Sequence, residues 1–110
     1  MKVVAFSDIH GNVSALRDAR ERIVSRVEPD VVVLCGDITH LGGAEAALQV
    51  LRALEGLRVF YVWGNMDSVS RNLQLPLEGM ECIHGRVVSV GGVDFFGLSA
   101  NFDPKLLLSI

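Results

Sequence analysis

Val3-Val4-Ala5-Phe6-Ser7-Asp8-Ile9-His10 opens the chain with an apolar run that stops at two side chains able to hold a metal. The pattern returns twice. Val31-Val32-Val33-Leu34-Cys35 runs into Gly36-Asp37, and Val59-Phe60-Tyr61-Val62-Trp63 runs into Gly64-Asn65-Met66-Asp67. Asp8 and Asp37 are 29 positions apart, and Asp37 and Asn65 are 28. That interval holds one strand, one helix and their turns, the repeat of a βαβ crossover. Parallel strands built this way end on one rim, where the polar groups just past them converge.

The segments between the runs read as helices. Val13 to Val27 is amphipathic, with Leu16, Ala19, Ile23 and Val27 on one stripe and Arg17, Asp18, Glu21, Arg22 and Ser25 opposite. Asn12 or Ser14 suits its cap, and Pro29 ends the region. Gly42-Gly43 marks a loop, and 44–55 reads as a second helix with Ala47, Leu48, Leu51 and Leu54 inward and Gly56 as its stop. Strands are expected over 2–7, fully buried, then 31–35 and 58–63. A short helix is expected over 67–73, capped by Asp67 or Ser68 and broken by Pro76. Arg86 to Val90 and Val93 to Gly97 flank Gly91-Gly92, a hairpin signal. The fold class is α/β: a mixed β-sheet with flanking helices.

Composition narrows the function. With 110 residues the chain makes one domain, and half of them are apolar, enough for a core. The high apolar share of so short a chain also predicts surface left over for a partner. A net charge of −3 with scattered Lys and Arg leaves no nucleic-acid footprint. Cys35 and Cys82 lie far apart and suggest no disulfide framework; Cys35, inside an apolar run, reads as a small buried hydrophobe. Met1-Lys2-Val3 enters the first strand directly, leaving no room for a signal peptide, and no apolar stretch approaches a membrane span. A cytoplasmic protein is expected.

The rim residues point to metal chemistry. Asp8 and His10, two apart in extended backbone, face one side and can reach one ion together. Asp37 offers two carboxylate oxygens and can bridge two ions, and Asn65 offers a neutral carbonyl oxygen. Two such cations would clamp a phosphoryl oxygen and activate a water for in-line hydrolysis of a phosphate ester. Plainer readings stand beside these. Asp8, Asp37 and Asp67 can cap helices, and Asn65 can simply turn the chain after Gly64. His40 reads as a surface-loop histidine, His84 as a turn residue, and Tyr61 and Trp63 as sheet core.

Asp8-X-His10, Gly36-Asp37 and Gly64-Asn65-X-Asp67 resemble the first three signatures of the calcineurin-like metallophosphoesterases. Ser7-Asp8-Ile9-His10-Gly11-Asn12 is similar to the opening of their small prokaryotic phosphodiesterase branch. The resemblance covers the N-terminal two-thirds. It implies Asp8, His10 and Asp37 on one divalent ion and Asp37 and Asn65 on a second, with manganese, nickel, zinc or iron as occupants. It implies Asp37 and Asn65 at the catalytic centre, and a small phosphate ester as substrate. Residues 1–110 would form a single truncated domain, the N-terminal half of a four-layer sandwich.

Two departures qualify that likeness. Met66 stands where the family carries a histidine that acts as general acid or orients the substrate, and a thioether donates no proton. The family's later Gly-His-X-His string is absent, leaving only His40 and His84 besides His10. The second ion would then draw on Asp37 and Asn65 alone unless water, His40 or another subunit completes its shell. Without the family's second sheet, one apolar sheet face and the tail Leu106 to Ile110 would stay open, so a homodimer through that face is expected. The alternatives are a catalytically inert binding or scaffold module, similar to the retromer subunit on the same fold, and an inactive truncated fragment.

Overall fold

The computed structural model describes residues 1–109. Strands β1 (Val3–Phe6), β2 (Val31–Cys35), β3 (Val59–Val62) and β4 (Met80–Cys82) form one parallel sheet in that order. Registers run Phe6↔Leu34 and Leu34↔Tyr61, so the first three strands finish nearly level. The rim foreseen from the spacing is present. β4 carries no long apolar run and was not foreseen.

The first crossover is helical from Val13 to Val27, as α1 (Val13–Ala19), a π-helical stretch (Arg20–Val24) and α2 (Ser25–Val27). Asn12 Oδ1 accepts from the Ala15 N–H at 3.0 Å, so Asn12 is the cap. The second crossover is α3 (Ala44–Leu51), a 3₁₀ turn (Arg52–Leu54) and a stop at Gly56, whose φ of 86° no side chain favours. The helices cover one sheet face. There Val32, Leu34, Val59, Tyr61 and Trp63 pack with Leu16, Ala47, Leu51 and Leu54. Tyr61 and Trp63 are core, as read, and meet edge to face with centroids 5.3 Å apart.

The hairpin forms as expected, β5 (Val87–Val90) against β6 (Val93–Phe96), with Gly91 and Gly92 both at positive φ. It makes its own two-stranded sheet instead of joining a single mixed one. Val88, Val90 and Phe95 lie over Val31, Phe60 and Ile83 on the face away from the helices. Coverage there is partial. Along β2, Val31 is buried, Val33 half-buried and Cys35 exposed, so Cys35 is not the buried hydrophobe expected. β1 is likewise not fully buried: as an edge strand beyond the hairpin's reach it leaves Val3 and Ala5 exposed. The tail is a 3₁₀ run, Pro104–Ser109, with Leu107 and Leu108 exposed; Ile110 falls outside the described residues.

The helix expected over 67–73 does not form. Arg71 donates to the carbonyls of Gly64, Asp67, Val69 and Ala100, so a side chain takes up acceptors that a helix would bond along its own backbone. Among the described residues no helix is long and apolar enough to cross a membrane.

Candidate metal centre

β1 and β2 release their following loops side by side, and backbone hydrogen bonds lock the two together. The His10 N–H donates to the Asp37 carbonyl and the Gly11 N–H to the Ile38 carbonyl, both at 2.9 Å. The result brings Asp8, His10 and Asp37 into one group, each offering a ligand atom within 4.8 Å of the others. His10 Nε2 lies 3.6 Å from Asp8 Oδ1, and Ser7 Oγ donates to Asp8 Oδ2 at 2.8 Å. Asp8 and His10 are exposed and Asp37 half-buried, so a solute reaches all three.

The backbone at these residues is strained. Asp8, His10 and Asp37 have φ of 54°, 50° and 51°, in the left-handed region that side chains disfavour. Each such residue costs about 1–2 kcal/mol. Capping does not explain the conformation, since Asn12 caps α1 and the Gly43 backbone precedes α3. Strain that clusters on three ligand-type side chains fits a site whose donors are held in place before anything binds.

Glycine is required at two neighbours, for different reasons. Gly36 has φ of 90°, as a sharp turn before Asp37 demands. Gly64 is needed for approach: a Cβ there would lie 2.1 Å from Asp37 Oδ1 and 2.2 Å from its nitrogen. The third loop thus rests on Asp37, and the Met66 N–H donates to Asp37 Oδ1 at 3.0 Å.

Asn65 sits exposed at the tip of that loop, and its Oδ1 accepts from Asn101 Nδ2 at 2.9 Å. Asp67, read from sequence as a helix cap, is instead buried at 2% exposure beneath the rim. It accepts from the Thr39, Ile38 and Gly64 N–H groups and from Thr39 Oγ1. His40 is exposed on the loop after Asp37, edge-on to His10 with ring centroids 5.8 Å apart. His84 lies away from the group; its Nδ1 accepts from the Ser99 N–H at 2.9 Å. Burial, and secondarily the Arg71 charge, hold its imidazole below the usual pKa of 6.5.

Sequence reasoning missed the supporting residues. Ser99 Oγ accepts from the Trp63 N–H and donates to the Arg71 carbonyl, and the Ala100 N–H donates to the Trp63 carbonyl. Thus the segment after β6 is sewn to the end of β3 and delivers Asn101 to Asn65. Nothing in the spacing of Ser99, Ala100 or Asn101 announces this, because the link is made only through the fold. A concavity of about 970 Å³ opens at the opposite end of β3 and β4 beside Gly56, Arg58 and Glu81 and holds no motif residue.

Two carboxylates and an imidazole in reach of one point fit a borderline divalent cation. Comparison with known proteins agrees. An uncharacterized protein of Methanocaldococcus jannaschii is 36% identical over 70 residues, which is 62% of this chain and 29% of that relative. The aligned part is therefore under a third of the relative's length. A family model for calcineurin-like phosphoesterases matches residues 1–108, so strand order, motif loops and Asp-His-Asp group lie within one matched span. On that match the chain belongs to the calcineurin-like phosphoesterase family.

Proposed function

We propose that this chain carries the centre of a divalent-metal-dependent phosphoesterase acting on small phosphate mono- or diesters. The observation that carries the reading is the grouping of Asp8, His10 and Asp37 within 4.8 Å on a strained, solvent-facing rim. Asp8, His10 and Asp37 would hold one ion, and Asp37 with Asn65 a second, with manganese, nickel, zinc or iron as occupants. When bound, such ions supply the positive charge that draws in a phosphoryl group and acidifies a water. The chain's own part is placement. Met66 N–H fixes one Asp37 oxygen, leaving the other free, while the paired loops set Asp8 and His10 against it. Asp37 and Asn65 occupy the catalytic positions of this reading.

Met66 offers no proton to a leaving group, so the reading favours esters whose alcohols leave as stable anions. Bis(p-nitrophenyl) phosphate with added manganese or nickel is the direct assay. Turnover that disappears in Asp37→Ala supports the proposal; turnover that persists there belongs to another site. No turnover in the presence of bound metal favours the inert binding or scaffold reading.

Self-association belongs to the same proposal. The hairpin leaves Val3, Ala5 and Cys35 open beside the exposed Phe96, an apolar strip that a second copy would cover. Sedimentation at micromolar concentration should give a dimer; a stable monomer contradicts it. The proposed setting is the cytoplasm, where the free thiols of Cys35 and Cys82 would stay reduced.

A further inference from the structure

We infer that Asn101 is a positioning residue for Asn65, and so a fourth loop of the site lies beyond the three motifs. The inference rests on the metal-centre reading proposed above. A carboxamide is ambivalent: its oxygen can ligate a cation, its NH2 cannot, and the two ends are nearly the same size. An exposed asparagine at a loop tip has nothing of its own to decide which end faces the ion. Asn101 decides it. Its Nδ2 donates to Asn65 Oδ1 at 2.9 Å, an arrangement that holds the Asn65 carboxamide in one orientation and leaves its oxygen a second lone pair.

The donor is itself held by the fold. Ser99 Oγ and the Ala100 N–H fasten the segment to both backbone groups of Trp63, two residues before Asn65. Arg71 spans the same seam by donating to the carbonyls of Gly64 and Ala100. Asn101 also adopts φ of 58°, a conformation asparagine tolerates better than most residues and one that turns the chain at this point. One strand end, one guanidinium and one hydroxyl thus bring the Asn101 amide to Asn65. Partners of this kind, which orient a ligand without touching the ion, typically change metal affinity about 10–100-fold when removed.

The test uses the full chain and a double-mutant cycle. Mn²⁺ binding is measured by calorimetry for the wild type, Asn101→Ala, Asn65→Ala and the pair. The weaker Mn²⁺ binding event should weaken about ten-fold in N101A. In the N65A background the same change should do nothing further, because Asn101 acts only through Asn65. Losses that add in the pair would overturn the proposal, as would an unchanged affinity in N101A. A second measurement needs no metal. The Asn65 side-chain amide in an NMR spectrum should report one rotamer in the wild type and averaging in N101A, with the backbone spectrum otherwise preserved. An Asn65 amide indifferent to N101A sinks the positioning role even if Mn²⁺ binds. Absence of Mn²⁺ binding in the wild type, with the rotamer effect intact, sinks the metal-centre reading instead.

Discussion

Asp37 and Asp67 lie on either side of one backbone seam, and the fold treats them in opposite ways. Asp37 stands at the rim, half-buried and in left-handed backbone, with one oxygen accepting from the Met66 N–H. Asp67 lies beneath it with both oxygens engaged, Oδ1 by the Thr39 N–H and hydroxyl and Oδ2 by the Ile38 and Gly64 N–H groups. A carboxylate offers about four acceptor sites. Those of Asp67 are taken by the protein, so it has nothing left for an ion; those of Asp37 are not. The rim thus holds carboxylates with acceptor capacity to spare in strained backbone, and the platform below uses saturated polar groups to keep that strain from relaxing. The same residue type in two neighbouring motif loops thus keeps acceptor capacity open in one case and spends it on architecture in the other.

The sharpest way to break that contrast is one chemical change made in both places. Asp67→Asn points an NH2 at N–H donors and should cost about 3 kcal/mol or more in urea unfolding, since charged, buried hydrogen bonds are lost. A loss under 1 kcal/mol would mean the platform does not hold the rim. Gly64→Ala should come next. Its new methyl collides with Asp37, forcing the loops apart at about 1–3 kcal/mol, and Mn²⁺ affinity should fall with stability. If affinity holds while stability drops, the third loop does not set Asp37. Asp8→Asn should act in the other direction: it relieves the repulsion between two carboxylates, raising metal-free stability by about 0.5 kcal/mol while weakening Mn²⁺ binding. A loss of stability there would make Asp8 an architectural residue.

The smallest effect concerns His84, which supports Ser99 on the platform. Its imidazole titrates lower in the folded chain than when unfolded, because burial first and the Arg71 charge second disfavour the cation. The unfolded chain therefore binds more protons between the two values, so stability is complete above the unfolded value near 6.5 and declines as pH falls through the folded one. Protonation at Nδ1 would also break the acceptance from the Ser99 N–H. Wild type should thus lose more stability below pH 6.5 than His84→Gln does, and equal slopes would contradict it.

Most of the rim was legible in the chain, because a period of 29 and 28 residues forces the polar strings to one sheet edge. Strands β1 to β3, both crossovers and the hairpin followed from apolar runs, periodicity and paired glycines. Burial was less legible. Val3, Ala5 and Cys35 sit in apolar runs yet are exposed, since exposure depends on where β5 and β6 come to lie. Asp67 and Arg71 hid for a related reason: a helix start and a saturating network use the same residue types, and only the partners distinguish them. Asn101 was illegible because 36 residues separate it from the side chain it contacts.

The most direct measurement is the anomalous difference map of a crystal soaked in Mn²⁺. The expected result is a peak ligated by Asp8, His10 and Asp37 in the wild type and lost in Asp37→Ala. A map without a peak among those three side chains, or with its strongest peak elsewhere on the chain, would contradict the reading of the rim as a metal centre.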